Sequence, residues 1–323
     1  MHGRIVPAII FGLFIPFFVL SQENTADRFS VTITERVRPG DVVQVTVQSE
    51  IVLKRVQVRI VDPAGAATEF HAFHLPGDPG EPQTWVSLAG TPSTAEPGDY
   101  EIAILVLDDD HSHIVERTFR VEAQEFLRER IPLNSTMSDL RATDSERKRR
   151  EALELLSVVR TVHEDAMFQF GPFHTPLIGA RETAFFGDRR TYLYADGGRG
   201  YSIHTGWDLA APIGTPVRSG GPGRVVMVAE RLVTGNTIII EHLPGVVSLY
   251  YHLDSVRVRV GDPVLQGQII GTVGVTGLVT GPHLHWEIRV GGVAVDPTRL
   301  LDRPLVDTSR VLGTISGASQ ERG

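Results

Sequence analysis

Three short runs between residues 204 and 287 carry residue types that suit metal chemistry. They are His204-Thr-Gly-Trp-Asp208, Tyr250-Tyr-His252-Leu253 and Gly281-Pro-His283-Leu-His285-Trp-Glu287. Alternate residues of a strand project from the same face, so His283 and His285 share one side if the third run is extended. Polar and apolar positions alternate along this run, which indicates a half-buried strand with a polar face. Two imidazoles on that face predict a metal site.

The histidines and the aspartate of these runs match the ligand preferences of zinc. Zinc binds neutral imidazole nitrogen and carboxylate oxygen, and a catalytic site supplies three protein ligands and leaves the fourth position to water. His204, Asp208 and one histidine of the 283/285 pair would supply those three ligands. The other histidine of the pair and His252 would then be available for proton transfer. The sequence therefore predicts one Zn²⁺ per chain and a hydrolytic chemistry.

The same residues resemble the pattern of the LytM/lysostaphin-type zinc endopeptidases, which is H-x-x-x-D, then Tyr-x-His-Leu, then H-x-H. The resemblance covers roughly residues 180–302 and implies that His204, Asp208 and His285 bind zinc. It assigns His252 and His283 to acid–base catalysis and transition-state stabilisation. None of these five positions departs from the pattern. Further matching runs are Phe186-Gly-Asp-Arg-Arg190, Gly235-Asn-Thr-Ile238, Gly261-Asp-Pro-Val264 and Val295-Asp-Pro297.

Two further residues adjoin the predicted ligands in sequence. Glu287 lies two positions after His285 and would orient that imidazole, unless it is a surface-facing strand glutamate. Tyr250 lies two positions before His252 and therefore on its face in a strand. There it would line the cleft or only pack beside it. Both residues are candidates for supporting the site rather than for binding the metal.

The composition limits the other chemistry available to this chain of 323 residues. It has 31 Lys and Arg against 39 Asp and Glu and a net charge of −8, and its basic run Arg147-Lys-Arg-Arg150 is interpreted as a solvated helix face. Nucleic acid is therefore not expected as a partner. The absence of cysteine excludes disulfides, thiolate ligands, a cysteine nucleophile and lipoprotein acylation. Any metal site must use nitrogen and oxygen donors.

The first twenty residues have the form of an export signal. Their apolar run, residues 5–20, is shorter than the roughly 20 residues that span a bilayer comfortably, and Pro7 and Pro16 interrupt it. Val19-Leu-Ser21 offers a cleavage site, so residues 1–21 are interpreted as a removed signal. The alternative is an uncleaved signal that anchors the chain in the inner membrane. Either interpretation places the rest of the chain in the periplasm or elsewhere in the cell envelope.

The hydrophobic patterning predicts a mainly β fold in three parts. Residues 28–122 predict an immunoglobulin-like antiparallel β-sandwich, whose binding partner the sequence does not identify. Residues 123–172 form a linker with a connecting helix near 145–160, where the apolar period becomes helical. Residues 173–303 form the predicted β-rich peptidase domain, and 304–323 a flexible tail. The predicted strands are 30–34, 42–47, 56–61, 100–106, 118–121, 217–229, 237–242, 246–252, 256–260, 268–273 and 283–290.

Several other histidines have no predicted catalytic role. The run Asp108-Asp-Asp-His-Ser-His113 contains metal-binding residue types, but it lies between two strands and is interpreted as a polar hairpin tip. His71 and His74 have no ligand partner nearby in sequence and are interpreted as surface residues. His242 ends a strand and is interpreted as structural, and His163 is given no role.

Three functions can be compared on this basis. Export together with the resemblance implies a zinc endopeptidase that hydrolyses peptide bonds of cell-wall peptidoglycan. The alternative is a non-catalytic relative that binds and activates a cell-wall amidase, but such relatives typically lose metal ligands and this chain retains them. A lipoyl-type carrier, suggested by Gly261-Asp-Pro-Val-Leu-Gln-Gly-Gln268, is excluded because no lysine follows Lys148. The peptidoglycan endopeptidase is therefore the expected function.

Overall fold

The computed structural model describes residues 29–77, 80–142 and 145–307. The predicted export signal and most of the predicted tail lie outside these ranges. Within them the chain is mainly β, as the patterning predicts. Neither of the α-helices in this part of the chain has the length and apolar character that crossing a membrane requires.

The N-terminal region is an eight-stranded β-structure with the strand order β1-β3-β6-β5-β4-β7-β8-β2. Strand β5 joins two layers, because its first half pairs with β4 and its second half with β6. Inward-facing residues of both layers, such as Val45, Val58 and Ile104, share one core. The immunoglobulin-like character of this region remains a prediction. Its strands are β1 (Phe29–Ile33), β2 (Arg36–Val37), β3 (Val42–Ser49), β4 (Arg55–Val61), β5 (Ala67–Leu75), β6 (Gln83–Gly90), β7 (Gly98–Leu107) and β8 (Ser112–Val121).

A short linker with one strand and two helices follows: β9 (Arg128–Pro132), α1 (Ser135–Ala142) and α2 (Glu146–Arg160). Helix α2 is the connecting helix predicted from the sequence. Its N-cap Ser145 accepts a hydrogen bond from the backbone N–H of Lys148, which satisfies one of the free donors of the first turn. Val159 on its inner face packs with residues of the C-terminal sheet, so α2 covers one side of that sheet.

The C-terminal region is built on a ten-stranded sheet whose main path is β10-β13-β20-β17-β16-β15-β18. A hairpin of two more strands, β11 and β12, joins β9 of the linker in a separate three-stranded sheet. The strands are β10 (Arg181–Ala184), β11 (Arg189–Leu193), β12 (Arg199–Ile203), β13 (Trp207–Ala210), β14 (Pro216–Arg218), β15 (Gly223–Arg231), β16 (Gly235–Leu243), β17 (Val246–Val256), β18 (Pro263–Val264), β19 (Ile269–Val273), β20 (His283–Val290) and β21 (Val293–Val295).

Two of the predicted C-terminal strands differ from the structure. The prediction of one strand over 217–229 is wrong, because Ser219 to Pro222 separate β14 from β15. The prediction of a strand over 256–260 is also wrong, since β17 ends at Val256 and the next residues lead into a turn. In both places glycine or proline adjoins the apolar run and ends the extended pairing.

Strand β20 carries the alternation on which the site depends. Leu284, Trp286 and Ile288 face the hydrophobic core. His283 and His285 therefore lie on the opposite face, as the sequence predicts. The strand is held on both sides, because β13 and β17 are its neighbours in the sheet. Its polar face is thus a rigid platform for side chains.

The two β-regions pack directly against each other. Phe73, Val86 and Leu88 of the N-terminal region belong to the same core cluster as the residues of β20. A Cβ atom at Gly90 would lie only 3.0 Å from the carbonyl oxygen of Val290. Glycine at this position therefore permits β6 to approach the end of β20.

Candidate metal centre

Three side chains converge at the polar face of β20. Asp208 on β13 lies directly opposite His285 on β20 in the strand pairing, and His204 follows β12. His204 Nε2, Asp208 Oδ1 and His285 Nδ1 lie 2.9–3.0 Å from one another. All three residues are buried. The fold thus brings two imidazole nitrogens and one carboxylate oxygen to a single point, which is an arrangement that can hold a metal ion.

The hydrogen bonds of the two imidazoles leave the converging nitrogens available as ligands. His204 Nδ1 donates to the carbonyl oxygen of Phe185 at 2.8 Å, which orients the ring so that Nε2 points at Asp208 and His285. His285 has the reverse orientation, with Nε2 3.4 Å from Glu287 Oε2 and Nδ1 towards Asp208. Each ring therefore directs one nitrogen at the same point, where a metal ion would replace the proton that His285 carries.

The electrostatics of the cluster favour a cation. Burial acts to raise the pKa of Asp208, but hydrogen bonds with His204 and His285 and their charges outweigh it and hold this pKa well below its ordinary value. Burial acts to lower the pKa of His285, but Asp208 and Glu287 outweigh it and raise this pKa to about 9. The negative charge that attracts a proton to His285 also attracts a metal ion. The donor set fits a divalent metal such as zinc.

Glu287 supports His285 from behind. It is 1% exposed, so the interpretation as a surface-facing strand glutamate is wrong. Its Oε2 accepts from Thr205 Oγ1 at 3.0 Å, and its Oε1 accepts from Arg289 Nε at 2.5 Å. Burial acts to raise the pKa of Glu287, but the charge of Arg289 and the contact with His285 lower it to about 2. Glu287 is therefore an anion held against the imidazole of His285.

We expect Glu287→Gln to lower the affinity for zinc by about 10- to 100-fold, because the partner behind a metal-binding histidine typically contributes that much. The amide keeps the shape of the carboxylate but removes the charge that makes His285 a stronger ligand. Competition with a chromophoric chelator measures the affinity. Glu241→Gln is the matched control, since Glu241 is also buried and pairs with an arginine, Arg224, and a histidine, His163. Equal affinities in the two variants would contradict the role of Glu287.

Asp208 also has a partner that the sequence did not predict. Arg190 Nη2 donates to Asp208 Oδ2 at 2.7 Å, while Arg190 Nε lies 3.3 Å from Glu129 Oε2. Arg190 thus holds one carboxylate oxygen and leaves Oδ1 directed at the two imidazoles. The only signal in the sequence was the position of Arg190 in the matching run that begins at Phe186. The contact between Arg190 and Glu129 depends on the pairing of β9 with β11. This pairing joins segments that are distant in the chain, so the sequence did not indicate it.

Two further imidazoles, those of His252 and His283, flank the cluster. Their ring centroids are 4.9 Å apart, and His283 Nε2 lies 3.8 Å from Asp208 Oδ1. His252 Nδ1 donates to the carbonyl oxygen of Thr276 at 2.9 Å, and His283 Nδ1 donates to that of Gly281 at 2.8 Å. Since a carbonyl only accepts, each neutral ring carries its proton on Nδ1 and has an unprotonated Nε2. Burial, with smaller contributions from His283 and His285, lowers the pKa of His252 to about 3.

The backbone at His252 is strained. Its φ of +63° is the only positive value among the non-glycine residues that the structure describes. Such a conformation is uncommon for residues other than glycine and is found preferentially at functional sites. The backbone N–H of His252 donates to the carbonyl oxygen of Thr234 at 2.8 Å, which holds it in place. The strain directs this imidazole towards His283.

The left-handed backbone at His252 also changes the position of Tyr250, which was predicted to lie on the same face as His252. A regular strand would place Tyr250 on the face of His252, but the left-handed residue breaks the alternation. Tyr250 is fully buried in the hydrophobic core, and its hydroxyl accepts from the backbone N–H of Gly220 at 2.9 Å. It therefore packs in the core and does not line the cleft. The neighbouring Tyr251 instead stacks on His285, with ring centroids 5.1 Å apart.

Two of the remaining histidines have structural contacts. His242 is fully buried, with Nδ1 2.7 Å from the carbonyl oxygen of Pro222 and Nε2 2.7 Å from Ser248 Oγ. Burial lowers its pKa to about 4, which agrees with the structural role predicted for it. His163 Nδ1 lies 2.8 Å from Glu241 Oε1, a contact that the sequence did not predict.

Fold and site together define a β-sheet domain with a buried His/Asp/His metal-binding cluster and two flanking imidazoles. The sequence profile of peptidase family M23 matches residues 202–297, which include all five of these side chains. Residues 202–297 are therefore a domain of peptidase family M23. The resemblance found in the sequence is confirmed.

Curated relatives are similar to this chain over the M23 domain. The matched stretch is only a small part of each relative's own length. The chain is 40% identical over 122 residues to the DD-carboxypeptidase/endopeptidase Mpg of Neisseria gonorrhoeae, a stretch that is 38% of this chain and 27% of that protein. It is 46% identical over 93 residues to the peptidoglycan DD-endopeptidase ShyA of Vibrio cholerae, which is 29% of this chain and 22% of that protein. The chain thus spans about a quarter of the length of these curated relatives.

A structural neighbour extends the comparison to the N-terminal region. The crystal structure of an M23-type protein from Pseudomonas aeruginosa superposes with a TM-score of 0.53. The superposition covers 82% of this chain and 94% of that one, at 21% sequence identity. This similarity shows that the two proteins share a fold over most of their length.

Proposed function

We propose that this protein is an exported, zinc-dependent endopeptidase that hydrolyses peptide bonds in cell-wall peptidoglycan. The observation that carries the proposal is the convergence of His204, Asp208 and His285 beside two imidazoles whose Nε2 atoms are unprotonated. The name of the Vibrio cholerae relative, peptidoglycan DD-endopeptidase, supports the substrate class. Retention of all five side chains favours an enzyme over a non-catalytic activator of an amidase.

In this proposal His204, Asp208 and His285 hold a single zinc ion and leave one coordination position open. A zinc ion bound there would act as a Lewis acid and lower the pKa of water towards about 7. The protein contributes the orientation of the ligands. Arg190 fixes Asp208, and Glu287 fixes His285, so both ligands are positioned before the metal binds.

His252 and His283 move protons in the proposed reaction. The unprotonated Nε2 of either ring can accept the proton of the attacking water and then donate it to the leaving amine. The carbonyl groups of Thr276 and Gly281 keep both rings in the required orientation. Once protonated, an imidazole at this place also stabilises the negative charge of the tetrahedral intermediate.

A digest of purified peptidoglycan, analysed by mass spectrometry, tests the function. We expect the zinc-loaded protein to convert cross-linked muropeptides into shorter products with a new amino and a new carboxyl terminus. Asp208→Ala should give no products. Asp302→Ala is the control, since Asp302 is an exposed carboxylate outside the site and should leave the digest unchanged. Absence of new termini with the unaltered, zinc-loaded protein would contradict the proposal.

Export by residues 1–21 also remains a proposal, because this segment lies outside the described residues. We expect deletion of residues 1–21 to leave the protein in the cytoplasm. Cell fractionation with cytoplasmic and periplasmic marker proteins measures the location. The fraction of the full chain that sediments with the membrane distinguishes a retained anchor from a removed signal. Normal export of the truncated chain would exclude the signal.

The proposed division of the chain into domains follows the sequence prediction. Strands β1 to β8 fall within residues 28–122, and β10 to β21 fall within 173–303. The segment 123–172 is the proposed linker, although its strand β9 extends the β11–β12 hairpin.

A further inference from the structure

We propose that Asp108, His111 and His113 form a second binding site for a divalent transition-metal ion, at the tip of the β7–β8 hairpin. This site belongs to the N-terminal β-structure and shares no residue with the M23 centre. It uses two imidazoles and one carboxylate whose ligand atoms all lie within 4.8 Å of one another. The proposal does not depend on the proposed peptidase function.

The hairpin turn fixes the position of the carboxylate. Strand β7 ends at Leu107, which pairs with Ser112 at the start of β8, so the predicted hairpin is present. Asp108 Oδ1 accepts from the backbone N–H groups of Asp110 and His111 at 2.8 and 2.6 Å. The side chain of Asp108 is only 7% exposed although it lies in a turn. Its carboxylate is therefore oriented before any ligand binds.

The distances between the ligand atoms suit coordination better than direct hydrogen bonding. His111 Nδ1 lies 3.6 Å from Asp108 Oδ1, and His113 Nε2 lies 3.6 Å from Asp108 Oδ2. Both distances exceed the usual 2.7–3.2 Å of a hydrogen bond. Two ligands of a tetrahedral zinc ion with bonds of about 2.0–2.1 Å are ~3.3 Å apart. A metal ion could thus bridge these atoms with only a small movement.

His113 has an unsatisfied buried nitrogen directed at this place. Its Nε2 is shielded from solvent and has no hydrogen-bond partner among the described residues. Its ring packs against Phe29, with centroids 5.5 Å apart, so the side chain cannot easily turn away. A buried polar atom without a partner destabilises the folded state, because it has lost its hydrogen bonds to water. A metal ion bound by Nε2 would satisfy this nitrogen.

The negative charge at the hairpin tip favours binding of a cation. The pKa of Asp108 lies below its ordinary value, mainly because the carboxylate accepts a hydrogen bond from the backbone N–H of Asp110. This carboxylate is therefore an anion at neutral pH. Lys54, the basic residue that faces the turn, forms its ion pair with Asp109. Two imidazoles and one carboxylate suit zinc and the neighbouring first-row ions rather than magnesium or calcium.

The two metal sites differ in exposure. His111 is 49% exposed at its side chain, whereas the three residues of the M23 centre are buried. The hairpin site therefore leaves coordination positions open to solvent. A metal bound there would link the end of β7 to the start of β8 and stiffen the tip of the hairpin.

Zinc stoichiometry of the full chain tests the proposal. The metal-free protein is dialysed against zinc chloride, and its zinc content is measured by atomic absorption. We expect two equivalents in the unaltered protein and one in each of two double variants, His111→Ala with His113→Ala and His204→Ala with Asp208→Ala. Combining all four substitutions should leave none. His74→Ala is the matched control, because His74 is an exposed histidine of the same β-structure and should retain two equivalents.

The two double variants separate this proposal from the peptidase function. If the variant that lacks His204 and Asp208 holds no zinc, the hairpin site is disproved and the M23 centre is unaffected. If it holds one equivalent that the hairpin substitutions remove, the site is established whether or not the protein cleaves peptidoglycan. His111→Gln and His113→Gln are more conservative replacements, and circular dichroism checks that both variants fold. Each should also bind one equivalent of zinc less than the unaltered protein.

Discussion

Replacement of His204 or Asp208 with alanine is expected to abolish zinc binding at the M23 centre and peptide hydrolysis with it. The three ligand atoms lie within 3.0 Å of one another, so each contributes to the same coordination sphere. Two protein ligands hold zinc far less well than three. A bound metal supplies several kcal/mol of transition-state stabilisation, and each loss of about 1.4 kcal/mol lowers the rate tenfold. Turnover should therefore fall on the order of 1000-fold or more.

Zinc content and turnover are best measured in a background that lacks the hairpin histidines, His111 and His113. There His204→Ala and Asp208→Ala should each reduce the zinc content from one equivalent to none. Asp302→Ala again serves as the control and should keep both zinc and turnover. Undiminished zinc content in both ligand variants would show that the metal is bound elsewhere.

Substitution of His252 or His283 is expected to have a different effect, in which zinc remains bound and turnover falls by on the order of 100-fold or more. The reason is that neither ring belongs to the converging ligand set. Each is anchored through Nδ1 to a carbonyl group and offers Nε2 for proton transfer. For position 252, His252→Asn complements His252→Ala, because asparagine tolerates the left-handed backbone found there.

The pair on β20 provides the sharpest comparison. His283 and His285 are two residues apart on one face, yet His285 Nδ1 lies 2.9 Å from Asp208 Oδ1, whereas His283 Nε2 lies 3.8 Å from it. His285→Ala should lose the metal, and His283→Ala should retain it. Should His283→Ala lose zinc and His285→Ala keep it, the roles of the two residues must be exchanged.

Part of this organisation could be predicted because it depends on local periodicity. The alternation in residues 283–290 predicts β20 with the bounds that the structure has, and with the histidines opposite Trp286. The helical spacing of apolar residues likewise predicts α2. Both patterns result from burial of one face of a regular element, which adjacent residues determine.

Other elements could not be predicted because their pairing partners are distant in sequence. Strands β5 and β6 in the N-terminal region, helix α1, and strands β10 to β13 in the C-terminal region were not predicted. Strand β11 pairs with β9 of the linker, and its residues have no regular alternation of buried and exposed positions. Such strands are specified by the neighbours they pack against rather than by their own propensity.

The sequence by itself determined which residue types were available for chemistry and that two imidazoles must share a face of one strand. Only the tertiary structure decided which atoms meet. It placed Arg190 against Asp208, buried Tyr250 in the core next to the left-handed backbone at His252, and set His113 Nε2 3.6 Å from Asp108 Oδ2. The physical reason is that periodicity sets the direction of a side chain within its own element. The distances between elements arise from sheet pairing and core packing, which join residues far apart in the chain.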